Sequence, residues 1–268
     1  MDFRTIVDIE KPGFQIKPCE EILFVGSCFA DEISRHFRDN GFLVTANPYG
    51  VMYNPVSILH TIARYENAPR IVFLTLGTNH VYRLKETGEI VDNCEKRPQH
   101  LFQEEQLTAD ECAENLQETI GILCQRNPDV QVVLTVSPIR YRKYGYHGSQ
   151  LSKATLLLAV NKVLEDCQTG HVCYFPAYEI VLDELRDYRF YAPDMLHPSE
   201  QTVDYIWERL VETYFSLEAK SFLEEWRPIR QALHHRPFNP EAPAYKEFKD
   251  KTMLKLSELR KKYSNFAL

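Results

Sequence analysis

Ser27, Asp194 and His197 are the residues of this chain whose types and spacing suit covalent acyl chemistry. Ser27 follows the apolar run Ile22-Leu23-Phe24-Val25-Gly26 and precedes Cys28-Phe29-Ala30 and a charged amphipathic segment, a pattern of strand, tight turn and helix. In a parallel α/β sheet such a turn opens at the carboxyl end of its strand, where ligands bind. A serine there can attack an ester carbonyl, and its own N–H can help to hold the resulting oxyanion. Gly26-Ser27 also satisfies the simpler requirements of a turn and a helix N-cap. The side chain after it, Cys28, is expected to turn into the core as a buried thiol. Far downstream, Asp194 stands three residues before His197, close enough for its carboxylate to bond the imidazole and fix the tautomer, with Pro193 and Pro198 stiffening the loop.

The elements that must position these residues alternate regularly. Strands are expected at Ile22–Val25, Phe42–Thr45, Ile71–Leu76, Val130–Val136 and Val172–Phe175. Between them lie amphipathic helices: one after Ser27 with Ala30, Ile33 and Phe37 on a single face, then Val56–Tyr65, Leu107–Arg126, Ser152–Cys167 and Thr202–Phe215. Thr108 ahead of Glu111 has the spacing of a capping box, and Val81–Val91 reads as a hairpin turning at Thr87-Gly88. Residues 139–150 read as a Tyr/Arg/Gly-rich loop. The alternation predicts an α/β protein with three α/β/α layers and about five parallel strands. All loops after parallel strands open on one edge, so Ser27, Gly50 and Asn79 converge there. Residues 1–215 are assigned to this domain, with Met1–Glu20 as an arm lying across it. Residues 216–268, charged, helix-prone and interrupted at His234-His235-Arg236-Pro237, form a helical extension packed on it.

Composition narrows the function classes. The 268 residues carry a net charge of -7, against the basic excess expected of a nucleic-acid surface. Seven cysteines without a CxxC pair suggest neither a disulfide framework nor a zinc knuckle, and favour a reducing compartment. No apolar h-region opens the chain and no run approaches the ~18 apolar residues of a membrane span, so the cytoplasm is the expected location. His234-His235 lack a third ligand at metal-binding spacing; no metal or other cofactor is expected. The sequence sets no oligomeric state.

The order of a serine, a backbone glycine donor, an asparagine and Asp-x-x-His resembles the SGNH (GDSL-like) hydrolase superfamily. Within it the chain is most similar to the GSCFA family, through Gly26-Ser27-Cys28-Phe29-Ala30, Asn47-Pro48-Tyr49-Gly50, Leu76-Gly77-Thr78, Ser137-Pro138-Ile139-Arg140, Gln150-Leu151-Ser152-Lys153-Ala154 and Tyr174-Phe175-Pro176-Ala177. The resemblance spans Glu20 to Trp207. It implies a flavodoxin-like SGNH-hydrolase fold, with Ser27 as nucleophile, His197 as general base and then acid, and Asp194 orienting the imidazole. The oxyanion hole would comprise the N–H groups of Ser27 and Gly50 and the side chain of Asn79. This chain departs from relatives at Asn79-His80, at Glu95 in Asn93-Cys94-Glu95-Lys96 and at Tyr141, and Asn93 and Arg140 remain as substrate contacts. Arg140 can equally pair with the acidic run Glu179–Asp187. The implied activity is that of a serine esterase or deacylase acting on a small-molecule or carbohydrate O-acyl ester, O-acetyl groups included. A transacylase on the same site, and a non-catalytic module binding a carbohydrate or peptide, stay open beside it.

Overall fold

Two apolar faces per strand require two covering layers, and the chain supplies both. The computed structural model describes residues 4–92, 94, 97–167, 170–263, 265 and 266. Its main sheet has the order β2-β1-β3-β7-β8, all parallel, from β1 (Glu21–Gly26), β2 (Leu43–Ala46), β3 (Ile71–Leu76), β7 (Gln131–Val136) and β8 (Val172–Tyr174). Period-two alternation divides β1 between two cores: Ile22 and Phe24 face one, Leu23 and Val25 the other. The first core is closed by α1 (Cys28–Asp39) and α6 (Glu200–Tyr214), the second by α2 (Pro55–Arg64), α3 (Ala109–Arg126) and α4 (Gly145–Asp166). These are the three layers the alternation predicts.

Local signals set several boundaries. Thr108 and Glu111 form a reciprocal capping box at the start of α3, and Asn54 caps α2 through Ser57 N–H. The hairpin is larger than expected: β4 (His80–Leu84) pairs antiparallel with β5 (Ile90–Val91) and also with β6 (Phe102–Gln106), making a second sheet of order β5-β4-β6. Helix α4 begins at Gly145, well inside the stretch read as loop. Gly145 and Gly148 lower helix propensity there, but burial of Ser149, Ser152 and Lys153 against the domain outweighs it.

After β8 the chain makes a short helix α5 (Ala177–Glu179), a π-helical segment Ile180–Leu185 and a 3-10 turn Tyr188–Phe190 before the loop that carries Asp194. Beyond α6, α7 (Leu217–His234) and α8 (Pro243–Lys262) complete the chain. Phe222 and Trp226 of α7 are buried in the same core as Phe24 and Phe37, and Trp226 Nε1–H donates to the Asp39 carbonyl at 2.9 Å. The N-terminal arm is tied through a bridge between Ile16 and Phe215. Among the described residues no helix is long and apolar enough to cross a membrane.

Candidate active site

The turn after β1 is set by a close approach that only glycine permits. Gly26 pairs with Thr75 of β3 at φ 144°, and a Cβ on it would lie 2.1 Å from the Thr75 carbonyl oxygen. Asn47 completes the turn: its Oδ1 accepts from Gly26 N–H at 2.9 Å and its Nδ2 donates to Asp31 Oδ1 at 2.8 Å. Ser27 then leaves the strand in an extended conformation and serves as N-cap residue of α1 without a side-chain capping bond. Its side chain is fully buried, its Oγ lies 3.4 Å from Thr75 Oγ1, and its N–H donates to the Thr75 carbonyl at 3.0 Å.

Cys28 corrects an expectation. Its thiol is half-buried at the first position of α1, with Sγ 3.5 Å from the Tyr53 hydroxyl, and the buried side chain of the pair is Ser27. The reason is the direction Gly26 imposes: the extended Ser27 points back between β1 and β3, and Cys28 starts the helix at the opening. Burial, reinforced by the Cys28 contact, pushes the Tyr53 hydroxyl up to about 12; the half-buried Tyr141, edge-on to Tyr53, is raised further by desolvation.

Asp194 and His197 come together as the spacing predicts. Asp194 Oδ1 accepts from the N–H groups of Leu196 and His197 at 2.8 and 3.0 Å, and Oδ2 accepts from His197 Nδ1 at 2.6 Å. Those backbone bonds, and then the imidazole bond, hold the Asp194 carboxyl down to about 2. The side chains of His197 and Asp194 are 38% and 44% exposed, so the pair sits at the surface. Nε2 is the ring nitrogen left for chemistry. No hydrogen bond joins it to Ser27.

The loop carrying this pair is fastened on its β7 side. Arg140, just past β7, donates its backbone N–H to Leu196 O at 3.0 Å and its Nη1 to Met195 O at 2.9 Å. Its guanidinium lies over Tyr146 at 4.1 Å and near Tyr188 and Tyr191, with no carboxylate at ion-pair distance among the described residues. Arg140, Gln150, Arg186, Asp187, Tyr188 and Tyr191 line a cavity of about 300 Å³ beside the loop. On the other side Pro198 and Glu32 line a shared cavity against α1.

The expected oxyanion donors are engaged elsewhere. Ser27 N–H is bonded to Thr75 O as described, Gly50 N–H donates to Asn47 O at 2.9 Å, and Asn79 Nδ2 donates to Leu107 O at 2.7 Å. Asn79 is buried, with Oδ1 unpartnered. His80 is buried and stacks on Tyr144 at 3.6 Å. Asn93 lies outside the described residues.

Three neighbours escaped the sequence reading. Thr75 fixes Ser27 through two atoms. Glu32 is half-buried, with Oε2 lacking a partner; burial pushes its carboxyl up, opposed chiefly by the His197 and Arg35 charges. Its position one turn after Cys28 was the available signal. Lys153 is fully buried in α4 and donates to Gly77 O at 2.7 Å, with the rings of Tyr141 and Tyr178 nearby; burial lowers its ammonium to about 7. A lysine in helical register with the buried Leu156, Ala159, Val160 and Val163 was the signal for it.

The GSCFA family model matches residues 21–70 and 64–210, and a model described as "GSCFA domain protein, C-terminal domain" matches 226–268. The chain belongs to the GSCFA family. No curated protein matches it. Among solved structures, a Streptococcus pneumonia protein named for platelet activating factor aligns at TM-score 0.50 and 17% identity, over 75% of this chain and 85% of that one. A GDSL-like lipase from Bacteroides thetaiotaomicron aligns at 0.46 and 15%, over 77% and 89%. A carbohydrate esterase of family 3 from Talaromyces cellulolyticus aligns at 0.43 and 12%, over 77% and 99%.

Proposed function

We propose that this protein hydrolyses O-acyl esters, O-acetyl groups on carbohydrates foremost, through an acyl-enzyme formed at the β1–α1 turn with His197 as the base. The observation that carries the reading is the 2.6 Å bond from His197 Nδ1 to an Asp194 carboxylate already oriented by two backbone N–H groups. That arrangement holds Nε2 as the acceptor and stabilises the imidazolium formed when it takes a proton. His197 would deprotonate the nucleophile, pass the proton to the leaving alkoxide, and later deprotonate the water that resolves the acyl-enzyme. In the serine form of this reaction Ser27 is the nucleophile, and its Oγ has to leave Thr75 and rotate toward the opening. The cavity bounded by Arg140, Gln150, Tyr188 and Tyr191 mixes ring faces with hydrogen-bonding groups, which suits a sugar.

The test is hydrolysis of p-nitrophenyl acetate and a panel of acetylated sugars by the wild type and by His197→Ala, with folding checked by circular dichroism. We expect turnover by the wild type and a fall in kcat/KM of about a thousandfold or more in the folded variant. Equal rates for the two proteins, or no turnover of any ester by the wild type, would overturn the reading.

A further inference from the structure

Two nucleophilic side chains adjoin at the end of β1, and they face opposite ways. Ser27 Oγ is enclosed between β1 and β3 against Thr75, and its N–H is taken by the Thr75 carbonyl. Cys28 Sγ is at the opening beside Tyr53, and the Cys28 N–H has no acceptor among the described residues. A nucleophile at a strand–helix turn needs its attacking atom accessible and a free backbone N–H of the turn to hold the oxyanion. The free Cys28 N–H could serve either residue, but Cys28 Sγ is accessible as the chain stands whereas Ser27 Oγ is enclosed.

The loop bearing His197 comes to the same helix, α1. It is fastened beyond β7 by the two Arg140 bonds, and on the far side Pro198 lines a cavity with Glu32 of α1. With the strand order β1-β3-β7, a segment running from the end of β7 to α1 crosses the ends of β3 and β1, a span of about 10 Å. Glu32, which feels the His197 charge, is one helical turn beyond Cys28 on the same side of α1. The helix face turned toward the imidazole is therefore the face that begins with Cys28.

We propose that Cys28 is the nucleophile of this site and that Ser27 is a positioning residue that locks the turn to β3. The proposal rests on the reading of the site as an acyl-transfer centre. His197 Nε2 accepts the thiol proton as Sγ bonds to the ester carbonyl carbon, and the carbonyl π pair moves onto oxygen. Collapse breaks the C–O bond to the leaving group, and the alkoxide takes the proton from the imidazolium, leaving a thioester on Cys28 and a free alcohol. Water then gives a proton to His197 and its oxygen to the carbonyl carbon. Collapse releases the carboxylic acid and the thiolate, which recovers the proton from His197.

The experiment traps the acyl group. The whole protein is mixed with p-nitrophenyl acetate, quenched in acid and mapped by peptide mass spectrometry. The wild type should carry acetyl on Cys28, removable by neutral hydroxylamine as a thioester is, and Ser27→Ala should still acylate there. Cys28→Ala should lose about a thousandfold or more in turnover while remaining folded by circular dichroism. Acetyl on Ser27, or Cys28→Ala turning over within about tenfold of the wild type, overturns the proposal. A second measurement separates it from the ester reading: alkylation of Cys28 by iodoacetamide in the wild type and in His197→Ala. Alkylation that is faster in the wild type supports the nucleophile even if every ester is left intact, in which case the ester reading alone fails. Equal rates in the two proteins overturn the nucleophile.

Discussion

The β1–α1 turn and the Asp194–His197 loop carry the two halves of the candidate site, and the protein holds them in contrasting ways. The turn is part of the sheet: Gly26 closes against Thr75, Asn47 accepts its N–H, and the side chain that follows is fully buried. The loop rides at the surface on a few polar contacts, the Arg140 bonds and a bridge between Tyr191 and Pro198, with more than a third of each functional side chain exposed. In the proposed reaction, therefore, backbone packing aims the nucleophile and local hydrogen bonds aim the base. Changes in the turn should act first on stability, and changes in the loop first on chemistry.

The largest effect that would sharpen this contrast is expected from Asp194→Asn. Loss of the carboxylate removes the partner that fixes the His197 tautomer, and kcat/KM for an ester substrate should fall by about a thousandfold or more with little change in melting temperature. Sign and window follow from the pair: the carboxyl is lowered to about 2 in the folded chain, so its contribution is present above the unfolded value of about 3.9 and is lost as pH falls through about 2. Because the group is exposed, that contribution to stability is small.

Gly26→Ala should give the reverse pattern. A methyl group 2.1 Å from a backbone oxygen forces β1 and β3 apart, and a loss of about 3 kcal/mol is expected in urea unfolding. Unchanged stability would show that the turn is not as rigid as its contacts imply.

A further test addresses the buried ammonium of Lys153, which donates to the Gly77 carbonyl after β3. Lys153 is lowered to about 7 by burial, so between pH 7 and about 10.4 the unfolded chain binds more protons than the folded one. Wild-type stability relative to Lys153→Met should therefore rise with pH across that window, by about 4 kcal/mol, and be flat below it. Urea midpoints of both proteins at pH 6, 7 and 10 measure this, and a difference that falls as pH rises would contradict it.

Legibility in the sequence followed the same division. The five parallel strands, the Thr108–Glu111 capping box and the Asp194–His197 bond were readable because each depends on a period or spacing within a few residues. Strand β6 and the early start of α4 were not, since a polar strand and a glycine-containing helix turn are stabilised by neighbours remote in the chain. The engagement of Asn79 with Leu107 was equally hidden, because that carbonyl belongs to the chain following β6.

The sequence by itself determined that a Gly-Ser-Cys turn ends the first strand and that an aspartate pairs with a histidine three residues later. Only the tertiary structure decided that Ser27 faces Thr75 and Cys28 faces the opening. Side-chain direction at the end of a strand depends on what the neighbouring strand offers. Here the β1–β3 register places a carbonyl and a hydroxyl of one residue, 48 positions away, against the serine.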